Sequence, residues 1–128
     1  MSKVPDNLSY TKEHEWVQVL DANTIRFGIT DFAQEALGDI VFVTLPAVGD
    51  DIASGESCGE VESTKSVSDI YAPVSGRVCA VNDLVETSPE TINQDPYGNG
   101  WIAQVEVETS SLSGLLSADE YLAITTAS

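Results

Sequence analysis

Apolar positions along the chain change their spacing several times, and each change marks an element. Residues 14–20, HEWVQVL, and 24–30, TIRFGIT, are rich in aromatic and β-branched side chains, the composition of strands. The Asp21-Ala22-Asn23 break between them suits a tight turn, so the two runs predict a hairpin. In TDFAQEALGD, which follows, Thr30 or Asp31 can cap a helix, Phe32, Ala36 and Leu37 are spaced for one helical face, and Gly38 stands where a helix stops. About two turns are predicted. IVFVTLP, 40–46, is continuously apolar and closed by Pro46, which predicts a buried strand ending where proline removes a ladder donor.

From Gly49 to Asn82 no helical spacing recurs, and Gly49, Gly55, Gly59, Pro73 and Gly76 punctuate short runs. Short strands and tight turns are expected there. Gly59, Val61 and Ser63 alternate with Glu60 and Glu62, while Ile70, Ala72, Val74 and Val78 keep a period of two against Asp69 and Tyr71. Two half-buried strands therefore converge on Ser63-Thr64-Lys65-Ser66. This places the Lys65 amine at a hairpin tip, projecting into water with nothing apolar beside its stem. Further on, Ser88 and Pro89 have the form of an N-cap and first helical residue, DPYGNG at 95–100 is a loop, and WIAQVEV at 101–107 alternates as a strand. Ser117 and Glu120 have capping-box spacing and open a last helix to about Ile124. No linker or low-complexity segment divides the chain, so residues 1–128 read as one mainly β domain with short appended helices.

The chain has 128 residues, and its 21 acidic against 5 basic side chains give a net charge of −16. That balance argues against nucleic acid and anionic membrane surfaces as partners, since both attract Lys/Arg clusters. No apolar run reaches the roughly 18 residues of a membrane span. The opening MSKVPDNLSYTKEHEW has neither a secretory nor a transit composition, so a cytoplasmic location is expected. Cys58 and Cys79 form no CxxC pair and are expected to be reduced and mostly buried. His14, the one histidine, has no metal-like spacing around it and is read as a strand-edge residue. The scattered glycines lack phosphate-loop spacing, and neither a catalytic triad nor a metal site is expected.

Lys65 is then the residue that stands out. Ser63, Thr64 and Ser66 are small and leave its amine reachable. Spacing alone allows two readings, a solubilising turn residue or an amine offered to a modifying ligase.

The run GEVESTKSVSDIYAPVSGRV, 59–78, resembles the lipoyl-attachment hairpin of the biotinyl/lipoyl carrier fold. HEWV at 14–17, GITDFAQEALGDIVFVTLPAVGD at 28–50, SPETINQDPYGNGW at 88–101 and SADEYL at 117–122 extend the likeness over nearly the whole chain, and together they resemble the glycine cleavage H-protein family. Thr64 and Ser66 depart from the valine and alanine common beside the family's lysine, and a biotin carrier would show methionine on both sides. The resemblance implies a flattened barrel/sandwich (a barrel-sandwich hybrid) with a lipoyl hairpin at about 56–80. It implies lipoate joined to Lys65 through an amide, and acidic contacts to the loaded arm that map onto Glu15 and Asp69. No residue would be catalytic. The implied partners are glycine decarboxylase (P protein), aminomethyltransferase (T protein), dihydrolipoyl dehydrogenase (L protein) and a lipoyl ligase or transferase, with the carrier a monomer. An H-like relay that hands lipoyl or octanoyl groups to other enzymes and an unmodified interaction domain are the two alternatives.

Overall fold

The computed structural model describes residues 4–107 and 114–127. Nine strands and four helices follow one another along these residues: β1 (Ser9–Tyr10), β2 (Glu15–Asp21), β3 (Thr24–Ile29), α1 (Asp31–Leu37), β4 (Ile40–Thr44), β5 (Asp51–Ile52), β6 (Ser57–Ser63), β7 (Val67–Tyr71), β8 (Gly76–Val81), α2 (Asp83–Thr87), α3 (Thr91–Gln94), β9 (Ala103–Glu106) and α4 (Ala118–Ala127). They form a six-stranded sheet in the order β1-β2-β3-β9-β8-β5 and a three-stranded sheet in the order β4-β6-β7. The chain is thus mainly β, with short helices appended, as its alternating patterns predict.

The expected hairpin is β2–β3, in register from Glu15↔Ile29 to Asp21↔Thr24, and Asn23 N–H donates to Asp21 Oδ1 at 3.0 Å to close its turn. The inward faces of the two sheets share one core that includes Val17, Phe27, Val43, Val61, Ile70, Val78 and Val105. Each such side chain contributes about 1.5–3 kcal/mol on leaving water. A second cluster, Tyr10, Trp16, Ala118 and Tyr121 with Leu8, fastens α4 to the β1–β2 edge. There the Ser117–Glu120 capping box is reciprocal, with Ser117 N–H to Glu120 Oε1 at 2.9 Å and Glu120 N–H to Ser117 Oγ at 3.2 Å.

Four expectations need correction. β4 is not a buried strand: Ile40 and Val43 are covered, but Val41 and Phe42 are 50% and 55% exposed. Its sheet is covered on one face, and the register shifts between Ile40 and Phe42. The inward side of α1 uses Ala33, Gln34 and Leu37, whereas Ala36 is exposed. Ser88 is the C-cap of an unforeseen helix, α2, whose N-cap is Asn82. Pro89 precedes α3, which starts only at Thr91 after Glu90.

Candidate functional site

Lys65 lies in the turn between β6 and β7 and is exposed. The turn is held by Ser63, which is buried. Its hydroxyl oxygen accepts from the amides of Lys65 and Ser66, each at 3.1 Å, and donates to the Ser66 carbonyl at 3.1 Å. Thr64 N–H donates to the Asp39 carbonyl at 3.0 Å, tying the tip to the corner between α1 and β4. Contrary to expectation, the lysine stem does not stand free in water. A Cβ built on Gly38 would lie 3.3 Å from Lys65 Cε and 3.5 Å from Cδ, so the stem runs over the bare backbone of this residue. Gly38 also has φ +83°, a conformation that favours glycine. Asn93 of α3 braces the corner: it donates to the Gly38 carbonyl at 2.9 Å and accepts from Ile40 N–H at 2.9 Å. Neither residue's part in supporting Lys65 was visible in the sequence, because both contacts join distant segments.

Glu15, at the start of β2, is buried rather than solvated. Thr11 Oγ1 donates to its Oε1 at 2.6 Å, and the Tyr71 backbone amide also meets the carboxyl. Burial outweighs both hydrogen bonds and raises its pKa to about 8, so the acid is mostly protonated at neutral pH. It lines a cleft of about 340 Å³ with Thr11, Ala72, Pro73, Leu115 and Leu116. Asp69 is instead exposed on β7, paired across the strands with Glu60. The two acids share no contact, yet one strand connects them. β7 leads from the turn carrying Lys65, past Asp69 at roughly 13 Å of strand length, to Tyr71 at Glu15.

His14 immediately precedes Glu15 and has φ +69°; among the described residues it is the one non-glycine with a positive φ. Its Nδ1 and Thr30 Oγ1 each lie 2.7 Å from the Tyr121 hydroxyl, and its ring stacks on Phe32 with centroids 4.8 Å apart. Burial lowers its pKa. It is a positioned residue inside a small network, not a loose strand-edge side chain. Cys58 and Cys79 are free thiols, each half-buried, and burial raises Cys58 to about 11. Among the described residues no cluster of His, Cys, Asp and Glu could hold a metal ion, and no helix is long and apolar enough to cross a membrane.

This geometry suits an acylated lysine. The amine is exposed, the glycine clears its stem, and a cleft that combines apolar side chains with Lys12, Glu13 and the buried Glu15 lies at the far end of the adjoining strand. The family model described as glycine cleavage H-protein matches residues 8–128. The chain is 58% identical over 127 residues to the glycine cleavage system H protein of Mycolicibacterium vanbaalenii, covering 96% of this chain and 97% of that one. It is 58% identical over 120 residues to the protein of that name from Coprothermobacter proteolyticus, covering 93% and 94%. A crystal structure of a glycine cleavage system H protein from Mycobacterium marinum superposes with a TM-score of 0.89 at 46% identity, covering 96% of this chain and 99% of that one.

Proposed function

The chain belongs to the glycine cleavage H-protein family, and from that premise we propose that it is the non-catalytic, lipoyl-bearing carrier of a glycine cleavage system. It shuttles an aminomethyl group from the pyridoxal-phosphate-dependent glycine decarboxylase (P protein) to the tetrahydrofolate-dependent aminomethyltransferase (T protein). Dihydrolipoyl dehydrogenase (L protein) restores the oxidised carrier, and a lipoyl ligase or transferase first joins lipoate to Lys65. The carrier unit is residues 1–128 with its lipoyl hairpin at about 56–80, acting as a monomer in the cytoplasm. The observation that carries this reading is the exposed Lys65 at a closed turn whose neighbour Gly38 leaves room along its stem.

When bound, the lipoyl group supplies a dithiolane whose sulfurs perform the redox and transfer chemistry. The chain's own residues do the rest. Ser63 fixes the turn, and Gly38 with Asn93 keeps the corner open beneath the lysine. Asp69 gives the amine cargo a carboxylate on its way along β7. Glu15 is the acid of the cleft: protonated while the cleft is empty, it releases its proton to solvent when a cationic amine arrives. The pair is then a charge-assisted contact shielded from water.

Co-expression with a lipoyl ligase, followed by intact mass and peptide mapping, tests the reading. One lipoyl group on Lys65 is expected. Lys65→Arg takes none, while its stability stays within about 0.5 kcal/mol, since the side chain is exposed. Modification at Lys3 or Lys12 instead, or an unmodified wild type, overturns it.

A further inference from the structure

The outer face of the three-stranded sheet carries apolar side chains where a solvated surface needs none. On that face Phe42 and Val67 sit directly opposite Glu62, one on each side, and they are 55% and 56% exposed. Val41, shifted outward by the irregularity at the start of β4, is 50% exposed. The next row of the same face holds Glu60 and Asp69. Two exposed apolar side chains flanking one acid, Glu62, with a second acidic row beside them, suit a partner that presents apolar contacts and cations together. A second copy of the chain does not fit it, because a two-fold contact would set these carboxylates against their own copies on a molecule of charge −16.

Resting on the reading of Lys65 as the acylated residue, we propose that Phe42 and Val67 form the docking surface for the enzyme that attaches the lipoyl group, which presents an apolar socket rimmed by Lys and Arg. Reach selects this occupant. Enzymes that act on the finished carrier meet cargo at the end of a long arm, and its proposed resting place, the cleft at Glu15, lies at the opposite end of β7 from Val67. The attaching enzyme has only the lysine stem to work with, and that stem lies against Gly38. To bring Nζ to the activated acyl carbon, its surface must cover the residues beside the turn, and Val67 is among them. In the step itself the neutral amine attacks lipoyl-adenylate, formed when the lipoate carboxylate displaces pyrophosphate from ATP. The C–N amide bond forms, the acyl–phosphate C–O bond breaks, AMP leaves and one proton is released.

The test uses the unmodified full chain with a purified lipoate–protein ligase, lipoate and ATP, and reads initial rates against carrier concentration. Phe42→Ser combined with Val67→Thr raises KM for the carrier about tenfold or more, with kcat within about twofold. Val67→Thr alone keeps the β-branched shape of a strand residue, so it tests the face in a folded protein should the double variant be unstable; it raises KM about threefold. Wild-type KM rises with salt as the acidic margin is screened. Val19→Thr, an equally exposed apolar position on β2 of the other sheet, leaves KM unchanged. Unchanged KM in folded Val67→Thr and the double variant overturns the inference alone, provided the wild type is acylated at Lys65. So does a wild-type dimer, found by sedimentation, that the double variant abolishes without altering attachment. A wild type that accepts no lipoyl group at Lys65 overturns both this inference and the function it rests on.

Discussion

Replacing Glu15 by Gln keeps the shape of the buried side chain but removes its titration, and the consequence is a defined change in stability against pH. The folded carboxyl has its pKa raised from 4.5 to about 8, principally by burial. Between those values the folded chain holds a proton that the unfolded chain has lost. Stability contributed by this group is therefore complete below pH 4.5 and declines as pH rises, until it is exhausted above about 8. At about 1.4 kcal/mol per pH unit, the wild type loses about 3–5 kcal/mol across the window from this residue, local relaxation favouring the lower figure. Glu15→Gln loses none of it. The amide oxygen still accepts from Thr11 Oγ1, and exchanging the acid's proton for an NH2 group costs about 1 kcal/mol at every pH. Urea titrations from pH 5 to 9 measure the difference. The variant should be equal or slightly weaker at pH 5 and stronger by about 2–4 kcal/mol at pH 9. Contributions from the rest of the chain are common to both proteins and cancel in the difference. A difference that stays flat across this range would show that Glu15 is ionised and solvated, and the account of the cleft would be wrong.

The same variant and Asp69→Asn, loaded with the aminomethyl group, address the arm contacts: Glu15→Gln should lose a shielded contact of about 1.5–3 kcal/mol and shorten the loaded carrier's half-life about tenfold or more. Asp69 is exposed, so Asp69→Asn should shorten it by less than about fivefold; equal half-lives in all three proteins would remove both residues from the site. Gly38→Ala forces a Cβ against the Lys65 stem in a left-handed backbone, and thermal melts should show a loss of about 1–3 kcal/mol, with slower acylation of Lys65 in a ligase assay. Tyr121→Phe removes the hydroxyl shared by His14 and Thr30 and should cost about 1–3 kcal/mol in denaturant titrations, while a change below about 0.5 kcal/mol would mean that the network bears no load.

The parts of the fold that were legible in the sequence are those whose cause is local. Strand alternation in 59–63, the Thr30 cap and Gly38 stop of α1, and the Ser117–Glu120 box all act within a few residues of themselves, and each occupies its expected place. The alternation through Ile70, Ala72, Val74 and Val78 is not one strand: it breaks after Tyr71 into β7 and β8, which belong to different sheets. The continuous apolar run at 40–46 misled because composition reports hydrophobicity but not which face another element covers; only Ile40 and Val43 of β4 turn toward the core. α2 escaped notice because its cap, Asn82, follows the strand residues of β8 and the helix is a single short turn and a half. The turn position of Lys65 was legible for the same local reason, but its surroundings were not. Gly38 stands at the end of α1, Asn93 comes from α3, and Tyr71 reaches Glu15 from β7, contacts between segments distant in the chain; Thr11, four residues from Glu15, is its one local partner.

If Lys65 carries the lipoyl group and Glu15 meets the cargo, as proposed, the arrangement answers a conflict between what attachment and protection require. An enzyme must reach the Lys65 amine, which demands an exposed turn, while a cationic cargo is best kept where water is scarce, which demands burial. The two environments cannot coincide, so they must be separated by less than an acylated lysine can span and held at a fixed distance. α1 supplies that fixed distance. Its N-cap Thr30 shares a hydrogen bond with the Tyr121 hydroxyl and donates its amide to the His14 carbonyl, next to Glu15, while its C-cap Gly38 lies beneath the Lys65 stem. The helix is seven residues long, about 10 Å at 1.5 Å per residue, and β7 makes a second link between the same two places. A loose loop in place of α1 would leave the separation to chance. With both ends of a rigid element tied by named hydrogen bonds, a perturbation at Tyr121 should be felt at Glu15 before it is felt at Lys65, because the first is one residue from His14 and the second lies across the whole helix.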